Sequence, residues 1–211
     1  IEFAGESAVG GCTFAQNLHW IGCNTVSAYG PITTARGTVS AHIDGYDWVP
    51  RTNTPTPEPL AVFLEESCYL VTVRGLKADG GYFLIGSLDI GASAQGKRLI
   101  TLSDSTIDTT NAPGSSADRH GPFRMGTCTG VDVTLSNVTL AGTAVTPDSG
   151  NFPGITGMAL VWAASTQVND KLKFLGCHFK STNAQPVFPS AASGLLGQVL
   201  FDELCTYETI N

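Results

Sequence analysis

The chain has 211 residues, of which 42% are hydrophobic and only 14% charged, with 24 glycines and a formal net charge of −7. Its length suits one elongated domain with a full core. The acidic balance argues against nucleic acid, whose phosphates require a basic face, and no apolar run approaches membrane-spanning length.

The first residue is Ile, and residues 1–11 read as an entry segment, so the sequence is expected to be a fragment or processed part of a larger protein. A strand–bend–strand block then begins to recur. Its first copy is Cys12-Thr13-Phe14-Ala15-Gln16-Asn17-Leu18-His19-Trp20, and its weakest is Thr38-Val39-Ser40-Ala41-His42-Ile43-Asp44-Gly45. Next comes a stretch from Gly45 to Pro59 containing Tyr46, Asp47, Trp48 and Arg51, and four prolines between Pro50 and Pro59. Proline at that density excludes regular strand pairing, so a long loop is expected.

The pattern resumes at Leu60. Leu70-Val71-Thr72-Val73-Arg74-Gly75-Leu76-Lys77-Ala78-Asp79 carries its bend at Gly75, and Leu99-Ile100-Thr101-Leu102-Ser103-Asp104-Ser105-Thr106-Ile107-Asp108 carries its bend at Asp104. The cleanest copy is Val131-Asp132-Val133-Thr134-Leu135-Ser136-Asn137-Val138-Thr139-Leu140-Ala141-Gly142. Apolar and polar residues alternate there on either side of a bend at Ser136-Asn137. Leu172-Lys173-Phe174-Leu175-Gly176-Cys177-His178-Phe179-Lys180 repeats it with Gly176, and Val199-Leu200-Phe201-Asp202-Glu203-Leu204-Cys205-Thr206-Tyr207 is a looser copy.

Most copies follow another short apolar run, such as Val62-Phe63-Leu64, Phe83-Leu84-Ile85, Phe123-Arg124-Met125 or Met158-Ala159-Leu160-Val161. Counted from the first strand residue, the steps between copies are roughly 27, 32, 29, 33, 39 and 27 residues, in the range that signals stacked repeats. One repeat cannot bury its own apolar face, so neighbours must stack. On these blocks the chain resembles the right-handed parallel β-helix family of pectate-lyase-like enzymes and bacteriophage tailspikes. The resemblance covers about residues 7–208 and implies an all-β solenoid of about seven rungs.

Constant strands with variable connections place the insertions at one phase of the repeat. The long loops, Gly45 to Pro59, Thr109 to Gly121, Thr143 to Thr156 and Ser181 to Ser193, are therefore expected along one side. That side would carry Tyr46, Asp47, Trp48, Arg51, Arg119, His120, Asn151 and Phe152. Flat rings cover the apolar face of a sugar, and amides and charges take its hydroxyls.

Glycoside cleavage needs two carboxylates at about 5–9.5 Å. The candidates are Asp104 with Asp108, and Asp118 with Asp148 or Asp79; the adjacent Glu65 and Glu66 would point to opposite faces of a strand. The Asp cluster and Arg motif of pectate-lyase-like enzymes have no match here, and a G-x-S-x-G signature is absent.

Six cysteines, Cys12, Cys23, Cys68, Cys128, Cys177 and Cys205, lack zinc-type spacing, and no metal or cofactor is expected. Cys12 and Cys177 fall at core-facing positions, where reduced cysteines behave as small hydrophobes; the alternative is a disulfide or two in an oxidising setting, with Cys12 and Cys23 the nearest pair in sequence. Lys97-Arg98 and Lys171/Lys173 read as solvated charges. The sequon Asn137-Val138-Thr139 lies inside a block.

The tailspike resemblance implies a virion or extracellular protein that binds a bacterial surface polysaccharide, with or without depolymerising it, and that assembles as a homotrimer. Two other readings stay open. One is a structural virion shaft or decoration whose partners are other virion proteins, and the other is a secreted polysaccharide lyase or hydrolase.

Overall fold

The computed structural model describes residues 17–28, 32–33, 40–48, 60–64, 69–85, 98–110, 121–125, 131–142, 160–163, 171–182 and 198–210. They form strands, with short turns described between β5 and β6, β11 and β12, and β13 and β14. In chain order the strands are β1 (Asn17–Ala28), β2 (Ile32–Thr33), β3 (Ser40–Trp48), β4 (Leu60–Leu64), β5 (Leu70–Asp79), β6 (Tyr82–Ile85) and β7 (Arg98–Asp108). They continue as β8 (Phe123–Met125), β9 (Val131–Gly142), β10 (Val161–Ala163), β11 (Lys171–Leu175), β12 (His178–Thr182), β13 (Gln198–Phe201) and β14 (Thr206–Ile210).

Long and short strands alternate along the chain because they belong to two different sheets. The larger sheet runs β1-β3-β5-β7-β9-β11-β13, with β12 beside β9 and β14 beside β12; the smaller runs β10-β8-β6-β4-β2. Their pairings are parallel throughout the described residues. From β1 to β11, successive strands of the larger sheet are thus separated in the chain by a strand of the smaller one. The described residues are all-β, as the alternating pattern predicts.

Side-chain alternation explains why the strands stack. In β5 and β7, Val71, Val73, Ile100 and Leu102 point inward and are buried, while Arg74 and Thr101 face outward. The register stacks like on like: Ile43 pairs with Val73, Val73 with Leu102, Leu102 with Leu135, and Leu135 with Phe174. All five are 0% exposed, and burying each such side chain contributes about 1.5–3 kcal/mol. In the smaller sheet, Phe83 and Phe123 stack at 5.7 Å between ring centroids. The buried side chains of both sheets form one continuous core.

The bends are the second requirement. Gly45, Gly75, Asp104, Asn137 and Gly176 have φ of 72°, 66°, 48°, 54° and 58°. At each, two successive residues face outward, so the inward alternation resumes one residue out of phase. Only glycine, or an Asx residue, takes this left-handed conformation at low cost. The bends expected at Gly75, Asp104, Ser136-Asn137 and Gly176 thus each carry a positive-φ residue, and Gly45 supplies the same bend in β3.

Three expectations are corrected. Leu18 pairs with Ala41, and Ala41 with Val71, so the first two blocks begin later than their weak alternation suggests. Tyr46 and Trp48 are not loop residues: β3 continues to Trp48, and both rings are in the core. Arg98 is fully buried at the start of β7 instead of solvated.

The packing around Trp48 generates a contrast. A Cβ on Gly81 would lie 2.3 Å from Trp48 Cζ3, whereas one on Gly176 meets nothing within 4 Å and is opposed only by its backbone, at φ +58°. Gly81→Ala is expected to cost about 1–3 kcal/mol through overpacking, and Gly176→Ala about 1–2 kcal/mol through the left-handed backbone. Chemical denaturation measures both. Gly176→Asn is expected to recover most of its loss, and Gly81→Asn none.

Candidate functional site

The bend residues give the larger sheet a corner, and the half-strands beyond it carry a regular outer face. Counting from each bend, the first and third residues point inward: Tyr46 and Trp48, Leu76 and Ala78, Ser105 and Ile107, Val138 and Leu140, Cys177 and Phe179. The second positions face outward, as do the fourth apart from Ala141, which is buried. The second positions form a row, Asp47, Lys77, Thr106, Thr139, His178 and Thr206, in continuous parallel register. The fourth positions place Asp79 beside Asp108, Asp108 beside Ala141, Ala141 beside Lys180, and Lys180 beside Glu208. Adjacent members of a row are separated by the roughly 4.8 Å between strands. Acids, bases and hydroxyls thus form a narrow polar strip running across the rungs.

Asp108 is at the centre of the strip. Its Oδ1 accepts a 2.7 Å hydrogen bond from the Thr110 N–H and a second from Thr110 Oγ1. These bonds fix the turn that follows β7, as Asx side chains commonly do. Asp79, on the neighbouring strand, projects from the same face at the same register. The spacing of adjacent strands, about 5 Å, is close to the carboxylate separation of retaining glycosidases. Asp104 and Asp108, by contrast, are separated by four residues of one extended strand, roughly 13 Å, and do not meet.

Asp104 instead serves the corner. Asn137 Nδ2 donates to its Oδ1 at 2.9 Å, and Arg74 Nε lies 3.3 Å from its Oδ2. Both members of the ion pair are about half exposed or more, so the pair adds on the order of 0–1 kcal/mol.

At the far end of the strip, His178 contacts Thr206 Oγ1 through Nδ1 and Glu208 Oε2 through Nε2, the latter at 3.1 Å. Lys180 Nζ approaches the same Glu208 oxygen at 3.2 Å. Hydrogen bonds from His178 and then Lys180 hold the Glu208 carboxyl below the ordinary glutamate range. Asp202 closes the last turn: its carboxylate accepts the Gly176 N–H at 2.9 and 3.0 Å, the Leu204 N–H at 3.2 Å and the Cys205 thiol at 3.2 Å. The Gly176 bond is the largest cause holding its carboxyl below the usual aspartate range.

Tyr46 and Trp48 leave the sugar-binding set, because a ring that is 2% or 3% exposed presents no face to a ligand. Burial also pushes the Tyr46 phenol far up, so it stays neutral. Asp47 remains at the surface, half buried in the second-position row beside Lys77. Arg51, Asp118, Arg119, His120, Asn151 and Phe152, and with them Asp148, Glu65 and Glu66, lie outside the described residues, as does most of the expected loop side. Lys77, Thr106, Thr139, His178, Lys180 and Glu208 were missed. Aligning the blocks on their bends would have revealed the positions, since all sit two or four residues beyond one, or pair with residues that do.

Among the described residues no three His, Cys, Asp or Glu side chains gather as a metal ion would require. Comparison of the chain with protein-family models, with curated proteins and with solved structures finds no match.

Asp202 sets an acid limb. Its folded pKa lies below its unfolded value, so its contribution is present above the unfolded pKa and is lost as pH falls through the folded one. Thermal melts from neutral to strongly acidic pH are expected to show Asp202→Asn less stable at neutrality, with a shallower decline than the parent on acidification. A parallel decline in both proteins would refute the assignment.

Proposed function

We propose that the chain is a right-handed parallel β-helix that acts as a tailspike- or tail-fibre-like domain and binds a bacterial surface polysaccharide along its polar strip. The observation that carries this reading is the strip itself. It is straight, regular at about 4.8 Å per rung, and rich in hydroxyls and both signs of charge. A rigid ruler of this kind suits a linear, hydroxyl-bearing polymer lying across the rungs. The two-sheet, parallel, in-order topology supports the β-helix part of the reading. The protein would belong to a virion or to the extracellular space.

Cleavage is the second element of the proposal. If the bound glycan is cut, the acids are Asp79 and Asp108, one protonating the leaving oxygen and the other attacking the anomeric carbon. Asp104 is excluded from that pair by its place at the corner.

A structural role is the alternative, and a different surface favours it. On the outer face before the bend, Leu70 and Leu99 are register neighbours, 54% and 44% exposed, with Tyr69 beside them at 41%. An apolar patch there suits contact with neighbouring chains, either two further copies in a homotrimer or other virion proteins.

The test is incubation of the purified chain with a panel of bacterial surface polysaccharides, reading retention and reducing-end release together. Retention is expected, and it should weaken at least several-fold in Lys77→Ala/Lys180→Ala. Release that disappears in both Asp79→Asn and Asp108→Asn would establish a depolymerase. No retention of any glycan, in a chain that assembles through Leu70 and Leu99, would replace this reading with the structural one.

A further inference from the structure

Two thiols meet where the last described turns of the larger sheet stack. Cys177 sits between β11 and β12, and Cys205 immediately before β14. β12 and β14 pair in parallel with His178 opposite Thr206, and the Thr206 N–H donates to the Cys177 carbonyl at 2.9 Å. One step earlier in the same register, Cys177 and Cys205 are therefore lateral neighbours. Adjacent strands set their Cα atoms roughly 4.8 Å apart, inside the window of about 4.4–6.8 Å that a disulfide spans.

Both side chains turn toward the interior. Cys177 belongs to the core, and Cys205 packs against it. Both are free thiols. Cys205 Sγ leans toward the preceding rung, 3.3 Å from the Phe174 carbonyl oxygen, while Cys177 Sγ lies 3.4 Å from that of Leu135. A rotation of Cys177 about its Cα–Cβ bond is the main movement a bond between them would need.

We propose that Cys177 and Cys205 form a disulfide that ties β14 to β12 when the protein meets a low-molecular-weight disulfide oxidant. The more exposed Cys205 reacts first. Its thiolate attacks one sulfur of the oxidant, whose S–S bond breaks and expels one thiolate, leaving a mixed disulfide on Cys205. The Cys177 thiolate then attacks the Cys205 sulfur and expels the second thiolate. The protons lost by the two cysteines end on the two expelled thiolates, and the oxidant takes up the electron pair that the cysteines give.

The surroundings make this a slow bond to form at neutral pH. Burial pushes the Cys177 thiol up to about 11, with Cys205 and Asp202 adding repulsion. Burial also raises Cys205, whose thiol donates to Asp202. Because the thiolate is the attacking species, exchange accelerates as pH rises.

The experiment uses the full chain and glutathione disulfide at neutral and mildly alkaline pH, followed by alkylation, proteolysis and mass spectrometry. The expected product is a peptide pair joined through Cys177 and Cys205. It should form faster at the higher pH and be cleaved by dithiothreitol, and the oxidised chain should melt at a higher temperature. Cys205→Ser, a near-isosteric change at a partly buried position, is expected to fold and to lose the linked product. Glutathione retained on Cys205, Cys205 joined to Cys12, Cys23, Cys68 or Cys128, or both thiols still alkylatable at alkaline pH would each overturn the proposal.

Discussion

The structure depends on lateral stacking of apolar side chains in register. Ala41, Val71, Ile100, Val133 and Leu172 form one inward file across the larger sheet, and Ile43, Val73, Leu102, Leu135 and Phe174 form the next. No strand buries such a file alone, because its neighbours on either side supply most of the covering atoms. Stability is therefore shared between adjacent strands of the sheet. Where fewer strands cover the file, its side chains are less buried: Phe201 stacks on Phe174 at 4.9 Å yet remains 41% exposed.

The left-handed bend makes this stacking compatible with a turning chain. It inserts two successive outward residues and resets the alternation, so that Tyr46, Leu76, Ser105, Val138 and Cys177 fall inward on the far side. Ser105 shows how a polar residue is accommodated there. Its hydroxyl accepts the Leu76 N–H at 3.0 Å and donates to the Ser103 carbonyl at 2.6 Å, so it satisfies the backbone of the bend instead of leaving a buried polar atom unpaired. In the last rung Asp202 takes on a related task, with its carboxylate receiving the N–H of Gly176.

The same constraint shapes the outer surface. Once the inward files are in register, the outward residues must also line up at strand spacing, whatever their identity. Hydroxyls, acids and bases from distant parts of the sequence then become neighbours, as Asp79 and Asp108 do, and Lys180 and Glu208. Their electrostatics are those of solvated groups: ion pairs such as Lys180–Glu208 join partly exposed side chains, so they add little to the stability of the fold.

Local sequence determined the strands and their bends. Alternation in Val133-Thr134-Leu135 and Val138-Thr139-Leu140 is a property of neighbours in the chain, and so is the glycine or Asx residue at a left-handed turn. Legibility declined where alternation weakened, so Leu18 and Ala41 were placed in the wrong register. The candidate site was hardly legible. Tyr46 and Trp48 precede a proline-rich stretch and were read as its loop, although their odd-numbered distance from Gly45 sends them inward. Asp79 and Asp108 belong to different repeats, and although each stands four residues beyond its bend, their pairing requires those repeats to stack in register. Only tertiary structure could decide that pairing, because register is set by the long-range fit of apolar files from strands separated by whole turns of chain, and a shift of one residue would turn every side chain to the opposite face.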